Sequence, residues 1–506
     1  MHVAFIHNNY ESLGIEYLSS YLKNARHETS LAFEPGLFGS FFAHSKKAHR
    51  LLNFDRHIID KVESLKPDMV AFSVISDNYA WAAGLAQEIK KRLDVPIVFG
   101  GIHPTSIPEN IIRENFIDFV IAGEGEEAFL ELIDCLEDGK EYRDIRNLAF
   151  KKNGHIVVNP LRPPLEDIDS LPFPDKDLFF NEYKGLVNKA YMLVTSRGCA
   201  FSCSYCLNNV LNNLYPDHSY FRRRSIDNCI SELTWAIQRY HIQRVTFYDE
   251  DFTLNKAWLI DFLKIYKIKV KLPFFCCIHP SHLDEEMVDL LSDAGCAAAN
   301  IGIQTYSEDY RKAVLNRHGN NKEIAAALKC LGQSKIFVYS NVILGLPAQT
   351  EQELIKTLEF CSEHKADIAS TYWLRYYPKT AIVETARKMG VLSEAHIKDI
   401  EESREYAPYA IKGSTFNKNA SKIGNLILFS GILPDRLVKF VIKNKFYRYG
   451  PSNNLLFPAI IIIGFLKKIF QGKKNPFHYF NILDYCRFYL FFLNKRLASC
   501  IPRRSQ

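Results

Sequence analysis

The chain lacks a run of apolar residues long enough to cross a bilayer. The uncharged stretch Leu455–Leu466 is interrupted by Pro458 and falls short of the ~20 residues a spanning helix requires. No secretion leader is expected, since the apolar Val3–Ile6 is brief and no basic segment precedes it. No prenylation is expected either, because Cys500 stands too far from Gln506. Cysteine is sparse, 12 in 506 residues, too few for a disulfide framework. These absences exclude the secreted, disulfide-stapled class and predict reduced thiols in a cytoplasmic protein. There is no internal repeat and no low-complexity tract, which excludes solenoids. A last absence is local. From Lys412 onward seventeen lysines and arginines face only two acids, Asp435 and Asp484, although the whole chain carries a net charge of only +6. A tail so short of carboxylates is expected either to face something anionic, a membrane surface or an acidic partner, or to be a solvated basic surface.

The 47% of hydrophobic residues can bury more than one core, so two or three domains are expected. Residues 1–140 alternate strand-like runs (His2–His7, Glu28–Phe33, Met69–Ile75, Pro96–Phe99, Phe119–Ile121) with helical ones such as Leu13–Ala25, Tyr79–Leu93 and Glu126–Leu136. Such units predict a Rossmann-like parallel sheet covered on both faces, with ligands at the carboxyl ends of its strands. Those ends read Ser73–Ser76, Gly100-Gly101-Ile102-His103-Pro104 and Ala122-Gly123-Glu124-Gly125-Glu126. Paired glycines there let backbone approach a bulky ligand where a side chain would clash. Residues 141–188 are proline-rich and read as a linker.

Over 189–390 a second alternation begins, with strands predicted at Tyr191–Thr195, Val245–Tyr248, Phe274–Ile278, Ala298–Gln304, Phe337–Leu344 and Ile368–Tyr376. Six strand–helix units predict a partial TIM-type barrel with its chemistry at the carboxyl ends of the strands. Residues 391–506 read as a third region, helical, basic and aromatic. In it, Leu455–Leu466 and Phe477–Leu493 fit either helices lying on a bilayer, with Lys467, Lys468, Lys473 and Lys474 at the headgroups, or a lid packed on the barrel.

Directly after the first barrel strand stands Thr195-Ser196-Arg197-Gly198-Cys199-Ala200-Phe201-Ser202-Cys203-Ser204-Tyr205-Cys206. Three thiolates at spacings of four and three residues can wrap one face of an iron–sulfur cubane and leave one iron without a protein ligand. Structural zinc takes four protein ligands and no fourth lies close, His218 being the distant candidate.

This stretch resembles the CxxxCxxC loop of the radical S-adenosylmethionine (SAM) superfamily, including the aromatic Tyr205 before the last cysteine. Further segments are similar to that family's pattern: Arg222-Arg223-Arg224-Ser225, Phe247-Tyr248-Asp249-Glu250-Asp251, Gly302-Ile303-Gln304-Thr305, Leu315-Asn316-Arg317 and Val342-Ile343-Leu344-Gly345-Leu346-Pro347. Tyr377-Pro378-Lys379-Thr380 departs from it, with lysine where glycine is usual. The resemblance implies a 4Fe-4S cluster on Cys199, Cys203 and Cys206 whose open iron chelates SAM. It implies a deoxyadenosyl radical, formed by reductive SAM cleavage, that takes a hydrogen atom from substrate. Asp249 and Glu250 are expected to accept from the SAM ammonium, Gln304 and Glu308 to bind the ribose hydroxyls, and Gly345 to admit the adenine. Helix capping is the plainer role for Asp249 or Glu250, and barrel lining for Gln304.

The N-terminal sheet with its Gly-Glu-Gly-Glu segment resembles the cobalamin-binding domain of class B radical SAM methyltransferases. By that resemblance Ser73, Ser76, Gly100, Gly101 and Gly123 contact cobalamin. Glu34–Ser40 holds no histidine, so the base-off Asp-x-His-x-x-Gly ligation of cobalt is not expected. The implied activity is methylation of an unactivated carbon of a biosynthetic, in one version lipid-like, small molecule, with a reductant such as flavodoxin or ferredoxin. Two alternatives remain open: a cobalamin-associated cyclase or rearranging enzyme, and an iron–sulfur redox sensor without turnover. A methylthiotransferase is disfavoured, because Cys135 is the only cysteine before Cys199. No nucleic-acid partner is expected.

Overall fold

The computed structural model describes residues 1–36, 54–183, 190–216, 219–402, 415–451, 487 and 490–494. Near-continuous apolar runs such as Val3-Ala4-Phe5-Ile6 form strands buried on both faces, as a covered parallel sheet demands. Five of them, β1 (His2–Asn8), β2 (Glu28–Glu34), β3 (Met69–Ser73), β4 (Ile97–Gly100) and β5 (Phe119–Ile121), pair in parallel in the order 2-1-3-4-5. That is the flavodoxin-like order, with its switch point between β1 and β3. Helices Leu13–Asn24 and Glu126–Glu137 share one core with Phe5, Ala71 and Ile121. Helices Asp55–Leu65 and Tyr79–Arg92 share the opposite one with Ile6, Phe72 and Phe99.

The expected linker is only partly a linker. Its residues supply β6 (Leu148–Lys152) and β7 (His155–Val158), an antiparallel hairpin added to the edge of the sheet beside β5. Asn153 and Gly154, both at positive φ (50° and 81°), make its two-residue turn. Lys176, also from that segment, is fully buried between Glu11 and Glu16 at 2.5 and 2.7 Å.

The second sheet contains β8 (Ala190–Leu193), β11 (Arg244–Phe247), β12 (Phe274–Ile278), β13 (Cys296–Gln304), β14 (Phe337–Leu344) and β15 (Ile368–Trp373), all parallel and in chain order. A short antiparallel pair, β9 (Ser196–Arg197) with β10 (Arg222–Arg223), stands apart from it. Five helices follow the barrel strands, starting at Ile226, Lys256, Glu285, Asn321 and Glu351. Each begins after a short polar residue (Ser225, Asn255, Asp284, Asn320, Thr350) whose side chain accepts a backbone N–H of the first turn. The partial barrel leaves β15 as an edge. Helix Thr415–Ser430 lies over it, and a Cβ at Gly424 would come within 2.7 Å of Leu344.

The third region is helical where described, at Glu394–Glu401, Thr415–Ser430 and Asp435–Lys443. Leu455–Leu466, its neighbouring lysines and most of Phe477–Leu493 lie outside the described residues. Phe492 is the informative exception. It is 1% exposed and packs on Phe33 and Phe54 of the N-terminal core at 6.0 Å. At that point the aromatic tail is core, neither bilayer contact nor barrel lid. No described helix is long and apolar enough to cross a membrane.

Candidate functional site

The cysteine loop leaves β8 and is fastened at both ends. The Asp249 carboxylate, at the end of β11, accepts from the Thr195 N–H at 3.0 Å and from the Thr195 and Ser196 hydroxyls at 2.7 and 2.5 Å. Gly198, at φ +81°, admits no side chain, since a Cβ would lie 2.2 Å from the Tyr220 carbonyl. Asn212 donates to the carbonyls of Cys199 and Phe201, Asn316 donates to that of Ser202, and the Ser204 N–H donates to Leu315.

Cys199, Cys203 and Cys206 line one cavity of about 240 Å³ with Glu250, Cys277, Asn300, Gln304, Arg317 and Asn341. Among the described residues the only three metal-capable groups with ligand atoms within 4.8 Å of one another are His27, Asp134 and Glu137. Three cysteines converging on one cavity fit the ligand set of an iron–sulfur cubane with one iron left open. Burial pushes the Cys199 thiol up to about 12 and the Cys206 thiol up to about 11, so thiolates here need a metal to stabilise them. Arg317, 4.0 Å from the Cys203 sulfur, is a cation directly beside them.

The residues expected to hold SAM divide. Glu250 and Gln304 face the cavity; Gln304 sits at φ +66° where the β13–β14 register shifts, a bulge that re-aims its side chain. Burial raises the Glu250 carboxyl above its ordinary range, with Asn208 opposing by hydrogen bond. Asp249 is not available: its carboxylate is consumed by Thr195 and Ser196, so it positions the loop. Glu308 accepts from the Asn321 N–H at 2.6 Å and does not line the cavity. Gly345 does not line it either. Its glycine is required by the Trp373 ring, 2.8 Å from where a Cβ would stand, and by φ +74°. Arg317, Cys277, Asn300 and Asn341 were not foreseen. Of these only Arg317 carried a signal, inside Leu315-Asn316-Arg317.

A second cavity of about 380 Å³ opens between the carboxyl ends of the first sheet and the barrel. Ser73, Gly100, Gly101 and Gly123 line it from one side, and Gly198, Tyr220, Tyr248 and Glu250 from the other. Its floor is apolar, where Phe5, Ala71, Val98, Ile121 and Phe129 leave a slot between sheet and helices. Gly101 (φ +97°) could bear a Cβ only 2.7 Å from the Val74 carbonyl, and Gly123 (φ +81°) only 2.3 Å from the Tyr215 hydroxyl. Glycine-lined rims over a deep apolar slot fit a large rigid ring with a tail, as cobalamin is. Ser76 does not reach it: its hydroxyl pairs with His103 Nδ1 at 2.8 Å. No histidine among the described residues lines this cavity. Burial lowers both His103 and His7, at the neighbouring strand ends, to about 4.

Glu250 lines both cavities. A carboxylate–guanidinium clamp joins the domains beside it. Glu124 accepts from Arg222 at 2.8 and 2.9 Å and from Arg197 at 3.3 Å, and Arg197 pairs with Glu126 at 2.6 Å. Burial pushes the Glu124 carboxyl up, but Arg222 and Arg197 outweigh it and hold it below the ordinary range. The Gly-Glu-Gly-Glu segment is thereby tied to the loop that carries Cys199.

The family model described as the radical SAM superfamily matches residues 193–361, and that described as the B12 binding domain matches residues 3–133. An uncharacterized methyltransferase of Pyrococcus horikoshii is 29% identical over 64% of this chain and 70% of its own length. An anaerobic magnesium-protoporphyrin IX monomethyl ester cyclase of Cereibacter sphaeroides is 23% identical over 93% of this chain and 75% of its own. Among solved structures, the cobalamin-dependent SAM radical enzyme OxsB shares the fold with a TM-score of 0.65 at 14% identity, over 98% of this chain and 84% of that one. The radical SAM methyltransferase TsrM of Kitasatospora setae does so with 0.61 at 17%, over 76% of each.

Proposed function

We propose that this chain, which belongs to the radical SAM superfamily and carries a B12-binding domain ahead of that core, transfers a methyl group to an unactivated carbon of a small biosynthetic molecule. The supporting observation is the shared wall: Glu250 borders both the cysteine cavity and the glycine-rimmed one, so groups held in the two face a common position. When bound, the reduced cluster with SAM supplies a radical able to take a hydrogen atom, and cobalamin supplies the methyl group. The chain's residues orient and enclose. Cys199, Cys203 and Cys206 hold the cluster, with Arg317 balancing their charge. The Glu250 carboxylate accepts from the SAM ammonium, and the Gln304 amide meets the ribose. Ser73 and the backbone at Gly100, Gly101 and Gly123 hold the corrinoid, while the Glu124–Arg222 clamp keeps the domains closed against water. A flavodoxin or ferredoxin supplies the electron.

Anaerobic turnover with labelled SAM and added cobalamin tests this reading. Deoxyadenosine and S-adenosylhomocysteine are expected together, with label in the product. Deoxyadenosine without S-adenosylhomocysteine would reject methyl transfer. It would favour the second reading, a ring-closing or rearranging reaction, for which the cyclase match over 93% of the chain speaks. The redox-sensor alternative gains no observation in its favour.

A further inference from the structure

Helix Asp435–Lys443 docks on the barrel through Val438, with Val441 and Ile442 half-buried beside it. Its outer side is not polar. Leu437 and Phe440 are exposed, and the turn that follows adds Phe446 and Tyr449, the last 86% exposed. The Phe440 and Phe446 rings meet at 5.7 Å, and Leu437 stands one helical turn before Phe440, as Tyr449 stands three residues after Phe446. Single exposed apolar residues need no explanation, but a contiguous group rimmed by polar residues marks an interaction surface. The segment is strongly basic: residues 435–449 contain five lysines and arginines against the single acid Asp435. Lys439 pairs with Glu363 and with Asp435 of its own helix, and Arg448 pairs with Glu351. Arg436, Lys443 and Lys445 are exposed and make no ion pair with any described residue.

We propose that Leu437, Phe440, Phe446 and Tyr449, with Arg436, Lys443 and Lys445, form a docking face for the anionic surface of a phospholipid bilayer. Amphipathic helices with aromatic and aliphatic residues among lysines and arginines seat their rings at the headgroup boundary and their cations on the phosphates. The charge complementarity is with an extended negative surface: Arg436, Lys443 and Lys445 share this segment with the rings and pair with no described residue, while the one acid, Asp435, is met by Lys439 at 3.0 Å. The helix packs on helices Glu351–Glu363 and Thr415–Ser430, and none of the face's residues lines either cavity. It does not depend on methyl transfer.

Flotation of the full chain with vesicles of phosphatidylcholine, alone or mixed with phosphatidylglycerol, tests the proposal. The wild type is expected to float with the mixed vesicles only, and less as salt rises. F440S/F446S and K443S/K445S are each expected to weaken that binding, the second by at least about fivefold for each cation removed. Unchanged iron content and circular dichroism show that each variant is folded. The proposal is overturned if the wild type floats with neither vesicle, or if both double variants float as well as it does, which would place binding elsewhere in the basic tail. It is equally overturned if the patch instead holds a second copy, seen as a dimer that F440S/F446S converts to monomer without any flotation.

Discussion

At the scale of single residues the two glycines Gly100 and Gly101 make a sharp contrast. A Cβ at Gly100 would meet nothing closer than the Ile121 carbonyl at 3.6 Å, whereas one at Gly101 would strike Val74 at φ +97°. Gly101→Ala is expected to destabilise the fold by about 1–3 kcal/mol, and Gly100→Ala to leave it nearly unchanged, in denaturant melts. Glu250→Gln keeps the shape but loses the charge facing the SAM ammonium. A weakening of SAM binding by roughly tenfold to a hundredfold is expected by equilibrium titration of the reconstituted protein. Asp249→Asn should instead loosen the cysteine loop, seen as faster loss of iron under chelator with SAM affinity less affected. The sequence could not tell these neighbours apart. Both are acids after a strand, and only the fold reveals that hydroxyls 53 and 54 residues earlier occupy Asp249. The three cysteines were legible because their spacing is local; Asn300 and Asn341 were not, because they reach the cavity from separate strands.

At the scale of elements, buried parallel strands read well, since a continuous apolar run is the strand: Phe274–Ile278 and Phe337–Leu344 fall where the sequence places them. Five-residue helices such as Ile102–Ser106 are too short to show a period. The β6–β7 hairpin is masked in the sequence despite its Asn153-Gly154 turn, because Pro160, Pro163 and Pro164 close behind it give the segment the composition of an irregular connection. Lys176, in that same segment, is the contact whose loss should be felt most. Lys176→Met leaves Glu11 and Glu16 buried without a cation, and about 3–5 kcal/mol of destabilisation is expected in a denaturant melt. The Glu124 clamp adds a pH dependence. A carboxyl whose folded pKa is depressed stabilises fully above its unfolded value of about 4.3 and loses that contribution as pH falls through the lower folded value. Acid unfolding of the wild type should therefore carry a steeper limb below about pH 4.3 than that of Glu124→Gln, which starts less stable at neutral pH.

At the scale of the whole molecule, two sheets present their strand ends to each other across a cavity, and Phe492 from the far end of the chain closes back on the first core. That arrangement makes two cofactor sites separable by substitution although they share a wall. Iron and cobalamin content after anaerobic reconstitution of the full chain, measured for the wild type, Cys203→Ala and Gly100→Leu, tests this most directly. The wild type is expected to keep about four irons and about one cobalamin, Cys203→Ala to lose the iron and keep the corrinoid, and Gly100→Leu to do the reverse. A wild type that keeps no cobalamin, or variants that lose both together, would contradict it.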